Sequence, residues 1–123
     1  MQIKALVPVL DCLYLEKTLA FYQQAFSCII VSQREGEAGL EWVHLKTDGI
    51  FLMLVRQMEK TSQSPIGDNN LFYYYTDDVE GYYRFIKARG FKPTEIQITE
   101  YGMKEFFLLD PEGNRLAIGQ SVK

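Results

Sequence analysis

Histidine occurs once in this sequence, at His44, and that shortage removes a class of function. A metal centre built on imidazoles needs several of them at ligand spacing, and His44 has no such partner. A lone histidine in a strand reads as structural. Basic residues are not in excess either. Thirteen Lys and Arg against sixteen Asp and Glu leave a net charge of −3, so no basic stripe exists to neutralise nucleic-acid phosphates. No apolar run approaches the length of a membrane span. The opening MQIKALVPVLDC lacks the basic, then apolar, then small-residue order of a signal peptide, so the expected location is the cytoplasm. In that compartment the two cysteines, Cys12 and Cys28, read as free thiols rather than as a disulfide or a catalytic thiol. Cys28 falls in a strand, and Cys12 falls in a turn where exposure is expected. There is no nucleophile elbow and no Ser/His/Asp set.

What is present is apolar and aromatic. A chain of 123 residues is expected to form one compact domain, and 47% apolar residues are enough for a core. Eight Tyr and eight Phe exceed what a minimal core needs, and such a surplus points to a ligand pocket or an interface. The pattern predicts a strand over Ile3 to Val9, then a helix over Leu15 to Phe26 from apolar residues at 15, 19, 22 and 26. Strands follow over Cys28 to Ser32, Leu40 to Lys46 and Ile50 to Val55, with REGEAG and TDG as turns. The polar stretch at about 59–70 reads as a linker. The order then repeats: a strand over Leu71 to Thr76, a helix over Val79 to Arg89 stopped by Gly90, a strand over Phe91 to Ile98, and a hairpin of Met103 to Leu109 with Arg115 to Gly119. Thr76 to Asp78 supplies the cap of the second helix.

A shift of 64 residues superposes the two halves. The run 40–54 falls on 104–118, where Glu41 meets Glu105, Leu45 meets Leu109, Gly49 meets Gly113 and Leu52 meets Leu116. Four identities at turn and strand positions, with matching element order, argue for a duplicated βαβββ module, the first over about 1–58 and the second over about 71–123.

Four pieces together resemble the vicinal oxygen chelate superfamily, which groups glyoxalase I, extradiol dioxygenases and the fosfomycin and bleomycin resistance proteins. They are VPVLD at 7–11, LEKTLAFYQQAF at 15–26, TDDVEGYYRFIKARGF at 76–91 and YGMKEFFLLDPEGN at 101–114. The resemblance implies an α+β fold in which two βαβββ modules form a half-barrel cleft with the helices outside. It also implies four cleft-facing metal ligands. Carried over residue by residue, these positions are Val7, Met53, Leu71 and Ala117, two pairs each 64 residues apart. None of the four suits a hard or borderline cation, so no metal cofactor and no metal-dependent catalysis of the family's usual kind are expected. One departure stands at the first helix, which in the family opens on Asp and here opens at Tyr14.

Strand alternation extends the expected site. With Leu71 facing the cleft, Tyr73 and Tyr75 face it too, and with Val7 facing in, so does Val9. Phe107 occupies a position that faces substrate in the fosfomycin relatives, and Glu105 shares its face. By the repeat, Glu41 and Val43 take the matching places in the first module. That puts Trp42 with Phe106 on the helix side, unless a bulge reverses it. Tyr101 sits at the rim. The expected ligand-binding set is therefore a tyrosine-walled pocket over an apolar floor, with Glu41 and Glu105 as carboxylates inside it, suited to a flat or amphipathic molecule, a cationic one included, through stacking and carboxylate contacts.

Three readings stay open. The resemblance to bleomycin resistance proteins implies a homodimer that sequesters a small molecule, as in antibiotic resistance, without nucleic-acid or membrane partners. An enzyme of the same superfamily would instead use Glu41 or Glu105 as a base beside a tyrosine hydroxyl. A non-catalytic interaction module would fill the cleft with its own side chains.

Overall fold

The computed structural model describes residues 1–57 and 70–122. Contacts divide the chain into two compact units, Met1–Ser64 and Pro65–Lys123. Apart from Asn70, the expected linker lies outside the described residues.

The first unit runs β1 (Val9–Cys12), α1 (Leu15–Phe26), β2 (Ile29–Gly36), β3 (Gly39–Thr47) and β4 (Ile50–Arg56). Its sheet has the order β1-β4-β3-β2, with β1 parallel to β4 and the rest antiparallel. The second unit repeats this as β5 (Leu71–Tyr75), α2 (Val79–Ala88), β6 (Gln97–Ile98), β7 (Met103–Leu109) and β8 (Arg115–Ser121), in the order β5-β8-β7-β6. Two βαβββ modules in an α+β chain are thus established. Among the described residues no helix is long and apolar enough to cross a membrane.

Within its own unit each sheet carries a helix on one face only, and the register shows which. In the first unit Val43, Leu45, Leu52 and Leu54 are buried with Leu15, Tyr22, Ala25 and Phe26 of α1. The Thr47 hydroxyl donates to the Phe26 carbonyl at 2.6 Å, and Arg56 pairs with Glu16 of α1. In the second unit Phe106 meets the Tyr83 ring of α2 at 5.3 Å, Lys104 pairs with Glu80, and the Val79 amide donates to Gln120. Residues of opposite parity in these strands therefore look away from the helices.

Three strands depart from expectation, and Cys12 departs with one of them. β1 begins at Val9 rather than Ile3, because Pro8 has no N–H to extend the ladder; its carbonyl accepts from the Met53 amide at 2.9 Å. Cys12 consequently lies inside a strand, buried and not exposed, its thiol directed at the Leu10 carbonyl. Both cysteines are free thiols, and burial pushes the Cys28 thiol up to about 11. β2 runs on to Gly36, so the turn contracts to Glu37 and Ala38, with Gly39 at φ +106°. β6 shrinks to Gln97–Ile98 because Pro93 cannot donate and Thr94 satisfies the edge locally. The Thr94 amide donates to the Phe107 carbonyl, and the Phe107 amide to the Thr94 hydroxyl, both at 2.9 Å.

The helix ends differ in quality. Asp78 caps α2, accepting from the Gly81 amide at 3.0 Å. In α1 the Tyr14 side chain caps no N–H, and the helix stops at Ser27 in the left-handed region, φ 54°. That conformation favours glycine at a helix C-terminus. Ser27→Gly is expected to raise stability by about 0.5–1 kcal/mol, read as a higher urea midpoint with an unchanged slope.

Candidate functional site

The second sheet gathers most of the expected site on its helix-free face. Tyr73, Ala117 and Phe107 form one row across β5, β8 and β7, and Tyr75, Gly119 and Glu105 form the next. Leu71 stands a row further on, beside Arg115. Tyr73 and Tyr75 are in ring contact at 4.8 Å. The Tyr73 and Tyr101 hydroxyls both donate to Glu105 Oε1, at 2.8 and 2.9 Å. The Glu105 side chain is only 5% exposed, whereas Tyr75 and Tyr101 are 76% and 64% exposed. Glu105 Oε2 has no hydrogen-bond partner among the described residues, and none of the described lysines or arginines pairs with Glu105. A Cβ at Gly119 would stand 2.1 Å from the Tyr73 hydroxyl oxygen, so glycine there is what lets the phenol reach the carboxylate. Phe107 also lines a cavity of about 600 Å³ with Phe91, Thr94, Leu109 and Arg115.

This arrangement holds the two phenols in the protonated form. Burial, and then the hydrogen bond to Glu105, raise the Tyr73 pKa well above that of an ordinary phenol. The bond to Glu105 is the main cause for Tyr101, with burial second. Above about pH 10 the unfolded chain gives up these protons while the native state keeps them. The unfolded state then binds fewer protons, so stability is intact below that pH and falls as pH rises through and beyond it. Urea midpoints at about pH 9 and about pH 11 are expected to show the fall, and Tyr73→Phe to shrink it.

The first unit corrects the expectation for β3. Val43 is fully buried on the helix side and lines no open face. Glu41 is the extra residue where pairing shifts between Arg34 and Glu35; its carboxylate lies over Gly36 and 3.7 Å from Arg34. The helix-free face instead presents Trp42, His44 and Lys46, opposite Val55, Met53 and Phe51. Val9 pairs with Met53 on the same face, and Val7 precedes the strand. Trp42 and Phe51 flank the His44 ring at 6.1 and 5.5 Å, and Lys46 Nζ lies 5.7 Å from the Phe51 centroid. His44 Nε2 is buried without a hydrogen-bond partner among the described residues.

The cause of the reversal is loop length. His44 lies nine residues before its partner Met53, but Phe107 lies ten before Ala117. The first hairpin turns on two residues, Asp48 and Gly49, and the second on five, Asp110 to Asn114. Between β3 and β7 the repeat therefore runs at 63 residues, and an odd change swaps the faces. The TDG turn carried that signal, since a two-residue Asp-Gly hairpin pairs the residues on either side of it.

The donor set at the four family metal positions does not fit a divalent cation. Val7, Leu71 and Ala117 carry hydrocarbon, and Met53 carries one thioether. No group of three or more His, Cys, Asp or Glu among the described residues is placed to hold a metal.

The same fold recurs in solved structures of low sequence identity. TioX from Micromonospora sp. ML1 is 16% identical with a TM-score of 0.77, over 96% of this chain and 98% of its own. A bleomycin-binding protein crystallised with bleomycin is 21% identical with a TM-score of 0.75, over 97% and 99%. Lactoylglutathione lyase from Agrobacterium tumefaciens is 20% identical with a TM-score of 0.73, over 98% and 96%. No curated protein sequence matches the chain significantly. The family profile described as Glyoxalase/Bleomycin resistance protein/Dioxygenase superfamily matches residues 14–118, which is most of the chain, and the chain belongs to that superfamily.

Proposed function

We propose that this protein binds an aromatic or amphipathic small molecule without a metal and without transforming it, as an antibiotic-sequestering protein does. The observation that carries the reading is the helix-free face of the second sheet. There Tyr73, Tyr75 and Tyr101 surround a buried carboxylate beside the apolar Ala117 and Phe107. Aromatic walls with a few placed polar groups are the usual make-up of a small-molecule site. Two phenols held protonated and committed to Glu105 serve orientation better than proton transfer. The bleomycin-binding relative of like fold supports the same reading. The protein acts in the reducing cytoplasm, where buried Cys12 and Cys28 stay as thiols, and it acts as a homodimer.

A thermal-shift screen against bleomycin and flat aromatic antibiotics tests this, run with EDTA and with added zinc, nickel or manganese. A ligand at about 100 times its Kd stabilises by roughly 2.7 kcal/mol, and that shift is expected to be the same with chelator and with metal. Binding that vanishes in EDTA, with stoichiometric metal in the purified protein, would overturn the reading. Light scattering at micromolar concentration is expected to give twice the mass of one chain.

A further inference from the structure

We propose that Glu105, with Tyr73, Tyr75 and Tyr101, is the recognition point for an organic ammonium group, so that the ligand itself supplies a counter-ion that none of the described residues gives this carboxylate. The inference rests on the reading that the helix-free face of the second sheet binds small molecules, and it narrows the ligand to a cationic one.

A carboxylate that is 5% exposed is normally paired, because burying an uncompensated charge is costly. Here the nearest cation in sequence, Lys104, points to the other face and is taken by Glu80 of α2. The other ion pairs in the described residues, Arg34 with Glu41 and Arg56 with Glu16, belong to the first unit. Two phenol hydroxyls compensate Oε1 in part, as neutral donors. Oε2 accepts from no described residue and keeps contact with solvent, so it stands open to an incoming donor.

The tyrosines add a second, independent preference for the same ligand. A cation over a tyrosine face is attracted by the ring's negative π-face, more strongly as water is excluded. Tyr75 is 76% exposed and in contact with Tyr73, so it offers an open ring beside the phenol that binds the carboxylate. The phenols also fix the carboxylate. Both oxygens of Tyr73 and Tyr101 sit on one side of it, at Oε1, which leaves Oε2 as the acceptor for an incoming N–H. Gly119 belongs to the device, since any side chain there meets the Tyr73 hydroxyl.

The test uses the full chain, 15N-labelled, titrated with 2-naphthylmethylamine and, separately, with the neutral 2-naphthylmethanol. The amine is expected to bind about tenfold more tightly, with saturable shifts at Tyr73, Tyr75, Tyr101 and Gly119. Glu105→Gln keeps an oxygen for the phenols but removes the charge, and is expected to bring the two compounds within about twofold. Gly119→Ala is expected to lower amine affinity while the spectrum stays that of a folded protein. Equal affinities in the wild type, or an amine preference that survives Glu105→Gln, would overturn the inference and leave metal-free binding standing. If neither compound perturbs these residues, the inference falls, while the antibiotic screen separately judges the reading beneath it.

Discussion

Val43→Asp is expected to leave almost no folded protein, while Trp42→Thr, one residue away, keeps the fold. Val43 is 0% exposed and stands among Leu45, Leu52 and Leu54 under α1. The substitution loses roughly 1.5–3 kcal/mol of apolar burial and adds a buried charge at several kcal/mol more. A domain of this size has about 5–15 kcal/mol in hand, so the two losses together consume most of it. Trp42 faces the other way, beside His44 and opposite Val55, and its truncation is expected to cost no more than about 1–2 kcal/mol. Far-UV circular dichroism and urea titration distinguish the outcomes. The reverse order, with Trp42→Thr unfolding the chain and Val43→Asp tolerated, would mean that β3 is registered as a uniform repeat of 64 residues would place it.

The fold was legible because its signals are local and repeated. α1 at Leu15–Phe26 and β7 at Met103–Leu109 lie where periodicity places them, and α2 starts 64 residues after α1. The pairs Val9/Met53 and Tyr73/Ala117 obey the same shift. The second-unit face was legible too, since alternation from Leu71 assigns Tyr73 and Tyr75 together, and alternation from Phe107 assigns Glu105. The failure at Glu41 and Val43 came from extending the shift across two hairpins of different length. Turn geometry outranks similarity there, because a strand's faces are set by its pairing partner and not by its homologous counterpart. The bond from Tyr73 and Tyr101 to one oxygen of Glu105 lay beyond sequence reasoning. It depends on residues 28 and more apart in the chain, or on the bend between Tyr101 and β7, meeting at a single atom.

Asp110→Ala is expected to cost about 3–4 kcal/mol, lowering Tm by roughly 10–20 °C, and yet to leave ligand affinity per folded molecule unchanged. The DPEGN segment carries much of the family resemblance, and its role in the structure is to hold a loop. Asp110 is buried, and its Oδ1 accepts from the Glu112 and Asn114 amides, both at 2.9 Å. Oδ2 accepts from Asn114 Nδ2 at 2.9 Å. The Gly113 amide donates to the Asp110 carbonyl at 3.0 Å, with Gly113 at φ +86°, where a side chain would be strained. Asn114 then reaches Asn70 at 3.1 Å, tying the loop to the start of β5. Alanine removes one acceptor group and orphans three donors in a buried setting, which is why the loss exceeds that of a single hydrogen bond. Asp110→Asn keeps one carbonyl oxygen and is expected to lose about half as much. The loop holds β7 against β8 at Leu109 and Arg115, several residues from Glu105. A variant that melts early but binds its ligand normally below its transition would show that this motif keeps the hairpin in register while recognition lies further along the sheet. Loss of affinity in the folded variant would place DPEGN in the site itself.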